Sequence, residues 1–390
     1  MSFDFELSEE QLTIRESMRR IMSDFDEAYW LEHDRTGAFP SEFRQAVAEG
    51  GWLGIAMPED VGGAGLGVTE AMVMMEAIAN SPGGMGAASA VHINIFGPHV
   101  LVAHGSDAQR RAHLPPIIRG ETVVCFGVTE PDAGLDTTHI KTTATREGDT
   151  YRISGRKIWT TTAQQADRIV LLTRTTPPEE VERRADGMTL FFAEMDPARM
   201  EIREIPKMGR AAVNSNMLFI DDLRVPANDR IGEEGEGFRY LLDGLNPERI
   251  LVGGEAVGLG RQALGRASDY AKERVVFDRP IGQNQAIQHP LAESWMELES
   301  AWLACLRAAA LFDAGRPCGA EANMAKYVSA EAGFRACERA ILTHGGMGYA
   351  KEYHVERLAR EVWINRLAPV SQQLILCYIA ERVLGLPRSY

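Results

Sequence analysis

The residue with the clearest potential for chemistry is Glu248, in the stretch DGLNPERILVGG that runs from Asp243 to Gly254. The stretch is typical of a helix start, because Asn246 can cap a helix and Pro247 suits its first position. A glutamate that follows would then complement the positive end of the helix dipole. The alternative is a catalytic base, a carboxylate that accepts a proton from a substrate. The stretch alone leaves both interpretations open.

Two segments could line a site for a flat ring that forms hydrogen bonds. They are CFGVTEPDAGLDTT (Cys125–Thr138) and GRKIWTTTAQQAD (Gly155–Asp167). Their candidate groups are the hydroxyls of Thr129, Thr160 and Thr161 and the indole of Trp159. Because threonine and tryptophan also favour strands, the same residues fit a pair of strand ends with turns.

Two segments further along the chain could contact a phosphate or an amide. ERVVFDRPIGQNQAIQHPLAE (Glu273–Glu293) carries Arg274, and its pattern predicts a helix end, a turn and a new helix that begins at Gln285. THGGMGY (Thr343–Tyr349) has a double glycine, which lets backbone approach a phosphate closely. A plain helix connection and a helix terminator are the alternative interpretations of these two segments.

Length, composition and charge exclude several classes of protein. A chain of 390 residues predicts two or three domains, and 45% hydrophobic with 25% charged residues is typical of a globular protein. The net charge of −14 argues against nucleic acid as a partner, since phosphate backbones are bound by clustered Lys and Arg. No apolar run approaches the length of a membrane span, so we expect no membrane partner.

The cysteines and the N-terminal sequence indicate the compartment. The five cysteines are odd in number and far apart, and no CxxC or Cys/His metal spacing occurs. They therefore predict reduced thiols in a reducing compartment, and no metal site. The N-terminal MSFDFELSEEQLTIRESMRRIMSDF lacks a basic-then-apolar signal pattern and is too acidic for a transit peptide. We therefore expect a cytoplasmic protein.

The spacing of apolar residues divides the chain into three parts. Residues 1–124 repeat apolar residues at helical spacing, as in SEEQLTIRESMRRIM. Residues 125–234 change to a period of two, in short runs such as TYRISGRKIWTT and RIVLLTRT with no helix between them. Residues 235–390 return to long helical patterns. The predicted fold class is α+β: an N-terminal helical domain, a middle antiparallel β-barrel or sandwich, and a C-terminal four-helix bundle.

Four of these motifs, in this order, resemble the acyl-CoA dehydrogenase family over essentially the whole chain. VTEPDAGLD is similar to the family's VTEPxAGSD signature, and KIWTTTAQQAD resembles its Lys-x-Trp-Ile-Thr-Asn segment. ERVVFDRPIGQNQAIQ resembles the family's ERxxFGxPIxxxQAIQ run, and THGGMGY resembles its HGGxGY loop. The resemblance implies a noncovalently bound FAD and an acyl-CoA thioester as substrate.

The resemblance also implies where FAD would lie. Phe126, Val128 and Thr129 would meet the isoalloxazine ring, Trp159 would shield one side of it, and Thr161 would form a hydrogen bond near its reactive nitrogen. The residues implied to reach the FAD of a neighbouring subunit are Arg274, Phe277, Gln285, Gly345 and Gly346. An FAD completed by two chains needs at least a dimer, and the family's usual assembly is a homotetramer.

Further residues follow from the same resemblance. Those carried over to the cofactor are Ser371 and Gln373, and those carried over to the substrate are Leu135, Leu245 and Arg249. Two of the positions depart from the family pattern. Leu135 stands where a serine is expected near the coenzyme A, and Leu342 where a glutamine is expected near the partner's FAD.

The position of the base separates the branches of the family. Most members carry it in a C-terminal Tyr-Glu-Gly-Thr stretch, where this chain has Ala368, Pro369, Val370 and Ser371. A branch that includes isovaleryl- and long-chain acyl-CoA dehydrogenases instead carries its base in a pattern like LERL. This chain has Pro247-Glu248-Arg249-Ile250 at that place. The resemblance therefore implies that Glu248 is the base, in a helix that begins near Phe238.

The expected reaction is α,β-dehydrogenation of the acyl-CoA, with the proton passing to Glu248 and the hydride to N5 of FAD. An electron-transfer flavoprotein would then take the electrons. Pro369 departs from the pattern, because it lacks the backbone N–H that helps the family polarise the thioester carbonyl. Either a neighbouring N–H substitutes, or the oxyanion site is weakened. The alternatives on this scaffold are an acyl-CoA lyase, an oxygen-using flavoenzyme, and a flavin-binding paralogue without catalysis.

Overall fold

Helices form the first part of the chain. The structure, a computed structural model, describes residues 6–389, so the first five residues and the last, which the predicted domains include, lie outside it. The helix α1 begins after Ser8, whose hydroxyl accepts from the backbone N–H of Gln11 and forms the predicted cap. The helices of this part are α1 (Glu9–Ser23), α2 (Glu27–Thr36), α3 (Ser41–Glu49), α4 (Val68–Ala79), α5 (Gly84–Phe96), α6 (His99–His104) and α7 (Asp107–Ile118).

The helices α5 and α6 correct one expectation from the sequence. Among the described residues, the stretch Gly84–His104 is long and apolar enough to cross a membrane by length and composition alone. The prediction that no run approaches that length was therefore wrong. The physical reason for its apolar character is its place in the core, since 83% of the tested window is buried inside the protein.

A β-sheet forms the middle part. Its strands, within the described residues, are β1 (Val124–Gly127), β2 (Thr143–Glu147), β3 (Thr150–Thr161), β4 (Arg168–Arg174), β5 (Met188–Glu194), β6 (Met200–Glu204), β7 (Ser215–Pro226) and β8 (Arg230–Ile231). Their order is β6-β7-β3-β2-β4-β5-β8, and β1 pairs with β4. Most pairs are antiparallel as predicted, but β1 and β2 each run parallel to β4. These two pairs join segments that are distant in the sequence.

The sheet is buried on both faces at its centre. Alternate residues of β4 belong to two hydrophobic clusters, with Val170 and Leu172 in one and Ile169 and Leu171 in the other. The first cluster also contains residues of α6 and α7, and the second contains residues of β3 and β7. Because both faces are covered, the central strands are continuous apolar runs, which is the pattern in RIVLLTR.

Long helices form the last part. They are α8 (Gly237–Glu273), α9 (Gln285–Asp313) and α10 (Gly319–His344), followed by α11 (Val355–Glu361), α12 (Ile364–Leu367) and α13 (Gln372–Tyr378). A short hairpin of β9 (Val275–Val276) and β10 (Arg279–Pro280) connects α8 to α9. The predicted helix start at Gln285 is confirmed. Among the described residues, the long helices of this part are α8, α9 and α10, and α4 from the first part packs against α8 and α9.

The helix α8, which carries Glu248, packs closely against α4. A Cβ added at Gly254 would lie 2.7 Å from the Met72 side chain, and one added at Gly258 would lie 2.3 Å from the backbone oxygen of Glu76. The absence of a side chain at these two glycines therefore allows the two helices to approach each other closely. One hydrophobic cluster accordingly joins residues of α1, α4 and α5 to residues of α8, α9 and α10.

The course of α8 overturns the local interpretation of the stretch around Asn246. The helix begins at Gly237 and continues through Pro247, as the resemblance implied, so Asn246 does not cap a helix. The Asn246 amide oxygen instead accepts a hydrogen bond of 3.1 Å from Nη1 of Arg249. The start signals around Pro247 were misleading because burial of the preceding turns, including Tyr240 and Leu241, extends the helix past them.

Candidate active site

Glu248 lies inside the protein, on the wall of a small cavity. Its side chain is buried, with a relative exposure of 8%. The cavity lies between α8, the α5–α6 helices and β1, and its volume of about 10 Å³ is close to the minimum that holds one water molecule. The other lining residues are Phe96, Val100, Phe126, Leu241, Gly244 and Leu245. The cavity is therefore apolar except for one carboxylate.

Burial changes the acidity of that carboxylate. It raises the pKa of Glu248 to about 7, an effect to which Glu255 adds and which the positive charges of His92, Arg249 and Lys326 oppose. A carboxylate that titrates near neutral pH in an apolar cavity can take or give a proton there. Groups perturbed in this way are concentrated at active sites. The geometry therefore makes Glu248 a candidate general base.

Glu248 has two charged neighbours that were not predicted from the sequence. His92 on α5 places Nδ1 2.5 Å from Oε1 of Glu255 on α8. Glu255 follows Glu248 by seven residues, so the two carboxylates lie on the same face of the helix. That spacing was the available signal for Glu255, whereas His92 belongs to no motif.

Lys326 connects α10 to the segment in which most of the family carries its base. Its Nζ donates a hydrogen bond of 2.9 Å to the backbone oxygen of Val370, next to Pro369. Burial lowers the pKa of this lysine to about 8. Nearby, Ser371 caps α13, since its hydroxyl accepts from the backbone N–H of Leu374 at 3.3 Å. The side chain of Gln373, the other residue that the resemblance assigns to the cofactor, is exposed.

Arg249 lies next to Glu248 and is held mainly by Asn246. Its Nε is buried and has no hydrogen-bond partner among the described residues. Leu245, one turn earlier, lines the cavity. Leu135 is different, because its side chain is 57% exposed and does not line this cavity. The structure therefore brings Leu245 and Arg249, but not Leu135, to Glu248.

The residues implied for the flavin ring lie together at one edge of the sheet. Phe126, Val128 and Thr129 are half-buried. The backbone N–H of Ile158 donates to the backbone oxygen of Thr129 at 2.9 Å, which places this segment beside Trp159. Phe126 connects the edge to the Glu248 cavity, since it also lines that cavity.

Trp159 has an unusual backbone conformation. Its φ is 62°, a left-handed value that is uncommon for a bulky residue, and it lies where the pairing of β3 with β7 shifts register. The indole is 56% exposed, although the residue two positions before it, Lys157, is fully buried. Strained residues of this kind are concentrated at ligand sites. Thr161, two residues later, is half-buried, and the Thr160 hydroxyl between them is buried without a partner among the described residues.

This edge fits a flat ring that forms hydrogen bonds. It presents an open aromatic face at Trp159, half-buried side chains at Phe126 and Thr129, and a Thr160 hydroxyl that is free to bond. A flavin ring is flat and carries both donors and acceptors, so the residues present are compatible with FAD.

The residues implied to contact the FAD of a neighbouring subunit lie at one end of the helical part. Tyr270 of α8 stacks on His344 of α10 with ring centroids 4.3 Å apart. Arg274 lies one turn after Tyr270, and Gly345 directly follows His344. The structure therefore brings the end of α8 close to the glycine loop. The loop is open, because a Cβ added at Gly345 or Gly346 would meet no atom within 4 Å.

The hairpin between α8 and α9 exposes a large apolar side chain to solvent. Phe277 and Asp278 form its two-residue turn with φ values of 54° and 62°, as a type I′ turn requires. The Phe277 side chain is 93% exposed. Gln285, at the start of α9, is also exposed. Exposed aromatic groups are enriched where proteins contact one another.

Two curated relatives match nearly the whole chain. Acyl-CoA dehydrogenase FadE12 of Mycobacterium tuberculosis (strain ATCC 25618 / H37Rv) is 36% identical over 389 residues, covering 98% of each chain. A 3-(aryl)acrylate reductase of Clostridium sporogenes (strain ATCC 15579) is 34% identical over 355 residues, covering 90% of this chain and 93% of the relative.

Two solved structures have the same fold. Butyryl-CoA dehydrogenase from Megasphaera elsdenii is 28% identical with a TM-score of 0.93, covering 98% of this chain and all of that one. The FAD complex of PigA is 25% identical with a TM-score of 0.92 and the same coverage. The similarity extends over all three parts of the chain, which confirms the predicted α+β fold class.

The sequence profiles of one protein family match the three parts in order. Those described as the N-terminal, middle and C-terminal domains of acyl-CoA dehydrogenase match residues 8–121, 125–223 and 235–384. The match to relatives that bind FAD agrees with a cofactor of that kind in this chain. The chain therefore belongs to the acyl-CoA dehydrogenase family, whose members are FAD-dependent oxidoreductases that act on CH–CH bonds.

Proposed function

We propose that this enzyme dehydrogenates an acyl-CoA thioester between its α- and β-carbons, with Glu248 as the base. The observation that supports the proposal is the buried carboxylate of Glu248 on the wall of an apolar cavity, with a pKa raised to about 7. A base must be ionised to take the α-proton, and a pKa near the working pH gives the best balance of ionisation and driving force. Bound FAD supplies the redox chemistry, which is the acceptance of a hydride.

Each part of the cavity would contribute to the proton transfer. Phe96, Phe126 and Leu241 exclude water, which strengthens the electrostatic interaction between the carboxylate and a substrate that becomes charged. Gly244 and Leu245 form the part of the cavity wall that α8 contributes next to the carboxylate. Pro369 has no N–H to offer, so another donor would polarise the thioester carbonyl.

The proposal also places FAD at a contact between subunits. The ring would lie at the sheet edge of Phe126, Val128, Thr129, Trp159 and Thr161. Residues at the end of the helical part would reach the FAD of a second chain, namely Arg274, Phe277, Gln285, Gly345 and Gly346, and Ser371 and Gln373 would complete the cofactor site. The exposed Phe277 and the open glycine loop support this arrangement, because both are presented outward. A homotetramer follows the family's usual assembly.

The compartment and the electron acceptor are part of the same proposal. All five cysteines are free thiols, and burial raises the pKa of Cys125, Cys305 and Cys337, so they are unreactive in a reducing compartment. We place the enzyme in the cytoplasm, where it would pass electrons to an electron-transfer flavoprotein.

The substrate is expected to be bulky or branched near the thioester. Placing the base on α8 at Glu248 removes a carboxylate from the segment at Pro369, which leaves space beside the α-carbon. A relative whose name denotes action on aryl acrylates is 34% identical to this chain, and it supports an acyl group larger than a short straight chain.

The test is anaerobic mixing of the purified enzyme with a panel of acyl-CoA thioesters, with flavin absorbance near 450 nm as the readout. We expect bleaching by at least one branched, aromatic or long thioester, at a higher rate than by butyryl-CoA. Failure of every thioester to bleach the flavin would overturn the dehydrogenase proposal and favour a lyase or an inactive paralogue. In air, fast hydrogen peroxide production without an electron-transfer flavoprotein would show an oxidase instead.

A further inference from the structure

A histidine and a carboxylate form a close pair beside the cavity of Glu248. His92 Nδ1 is 2.5 Å from Oε1 of Glu255, and the two side chains are 14% and 2% exposed. Burial lowers the pKa of His92, but Glu255, with a further contribution from Glu248, outweighs it and holds that pKa above its usual value. A buried imidazole next to a carboxylate at this distance forms a strong charge-assisted hydrogen bond.

The pair is next to the proposed base. Glu255 lies two turns after Glu248 on the same face of α8. The His92 ring packs against the ring of Phe96 with centroids 4.9 Å apart, and Phe96 lines the cavity that Glu248 also lines. His92 therefore lies behind one aromatic residue of the cavity wall, on the side toward the end of α8.

The helix that carries His92 is fixed near its start. The Glu361 carboxylate accepts from the backbone N–H groups of Met85 and Gly86 at 2.9 Å and 3.3 Å. One turn later, Nη1 of Arg210 donates to the Ser89 hydroxyl at 3.0 Å. These contacts hold the first two turns of α5 in place. His92 follows Ser89 by about one turn, so the backbone that carries its imidazole is fixed.

We propose that His92, held by Glu255, is a positioning residue that places a positive charge beside Glu248 and so favours the ionised form of the base. This inference rests on the proposed role of Glu248. His92 does not take the substrate proton; Glu248 accepts that proton, and His92 retains its own. Since a positive charge favours the ionised form of a nearby carboxylate, the pair opposes the effect of burial on Glu248.

Other charged and titratable groups face His92 and Glu248. Toward His92 they are Glu255 and Glu248 on α8 and Arg210 before β7. Toward Glu248 they are His92 on α5, Arg249 and Glu255 on α8, and Lys326 on α10. Glu255 by itself opposes ionisation of Glu248, whereas His92 favours it more strongly. The pair as a whole therefore favours the charged base.

The first test is the pH dependence of anaerobic flavin reduction by one accepted acyl-CoA. Because Glu248 must be ionised, the rate rises with pH through the pKa of the base. His92→Gln removes the positive charge, so that pKa rises and the rise in rate moves to higher pH by at least about half a pH unit. His92→Lys keeps a charge and should keep the wild-type profile.

A matched control distinguishes the loss of the positive charge at His92 from the effect of replacing any histidine by glutamine. His113 lies on α7 against Phe192 with ring centroids 5.0 Å apart, outside the residues that line the cavity. His113→Gln should leave the pH profile unchanged. If His92→Gln also gave the wild-type profile, the inference would be overturned.

The second test does not depend on turnover. In holoenzyme labelled with 13C at Cε1 of histidine, the His92 signal is identified by its absence in His92→Gln or His92→Lys. Its titration midpoint should fall in Glu248→Gln, because that change removes a negative charge that favours the imidazolium. An unchanged midpoint would contradict the coupling of His92 to Glu248. Equal flavin reduction rates in wild type and Glu248→Gln would instead overturn the proposed base, so the two failures are distinguishable.

Discussion

The ammonium of Lys157 lies 2.9 Å from Oε1 of Glu130, and both side chains are almost fully buried. The same lysine donates to the backbone oxygen of Val128 at 3.1 Å. Glu130 also accepts from the backbone N–H and the hydroxyl of Thr142. This ion pair joins the VTEPDAG and GRKIW segments beneath the sheet edge at which the flavin ring is proposed to lie.

We predict that Lys157→Met destabilises the protein and weakens FAD retention. The change leaves the Glu130 carboxylate buried without its partner charge, which typically costs about 3–5 kcal/mol. It also frees the backbone of Val128 next to Thr129. Thermal unfolding should show a Tm lower by several degrees, and the ratio of bound FAD to protein after gel filtration should fall.

The matched control for this prediction is Lys141→Met. Lys141 forms a surface ion pair with Asp132 at 3.7 Å, and its side chain is 76% exposed. Surface pairs of this kind contribute about 0–1 kcal/mol, so this variant should keep the wild-type Tm and FAD content. If both lysine variants lost the same amount of stability, the buried pair would have no special role.

We predict that Phe277→Ser weakens the oligomer and the retention of FAD together. The side chain is 93% exposed in one chain, and burying such a group in a subunit contact contributes about 1.5–3 kcal/mol at each copy. Sedimentation velocity at decreasing protein concentration should show earlier dissociation than in wild type, with loss of flavin in the smaller species. Leu12→Ser, at a 51% exposed residue of α1, is the control. Dissociation without any loss of flavin would contradict a cofactor site shared between chains.

Much of the fold could be predicted from the sequence, because its signals are local. Ser8 and Gln11 form the capping box that their spacing predicts. The run TYRISGRKIWTT forms β3 over Thr150–Thr161, and RIVLLTRT, of which the first seven residues form β4, was also assigned correctly. The parallel pairing of β1 with β4 could not be predicted, since it joins segments about forty residues apart and neither segment determines its neighbour.

The site was less predictable, because its important contacts are between distant segments. The local signals around Glu248 indicated a helix start, and the resemblance to a family branch was needed to place it within a helix. His92 meets Glu255 across a separation of 163 residues, and each lies in an ordinary helix interior. Packing of α5 against α8 creates the pair, and a single sequence does not encode that packing in any local pattern.

We predict that Glu248→Gln changes the pH dependence of stability. Burial raises the pKa of Glu248 from 4.5 to about 7, so its neutral form stabilises the fold fully below the unfolded pKa, and this contribution is lost as pH rises through about 7. Glutamine stays neutral at every pH. As pH is raised from 5 to 8, the unfolding free energy of the variant should therefore increase relative to that of wild type by about 1–3 kcal/mol. The Tm of the variant should rise relative to that of wild type over the same range. A constant difference in Tm across this range would show that Glu248 titrates normally.

The last prediction concerns the proposed role of Glu248 as the base. Glu248→Gln should keep the fold, the FAD and the affinity for acyl-CoA, since the amide is nearly isosteric with the carboxylate. It should slow flavin reduction by at least about 100-fold, the low end of what a positioned base contributes. The measurement is anaerobic stopped-flow reduction with one accepted acyl-CoA, with Glu273→Gln at the exposed end of α8 as the control. The control should react at the wild-type rate, because an exposed charge at a helix end affects stability by less than about 1 kcal/mol and not proton transfer. If Glu248→Gln also reacted at that rate, the proton would be taken by another group, and Glu248 would be a buried carboxylate without a catalytic role.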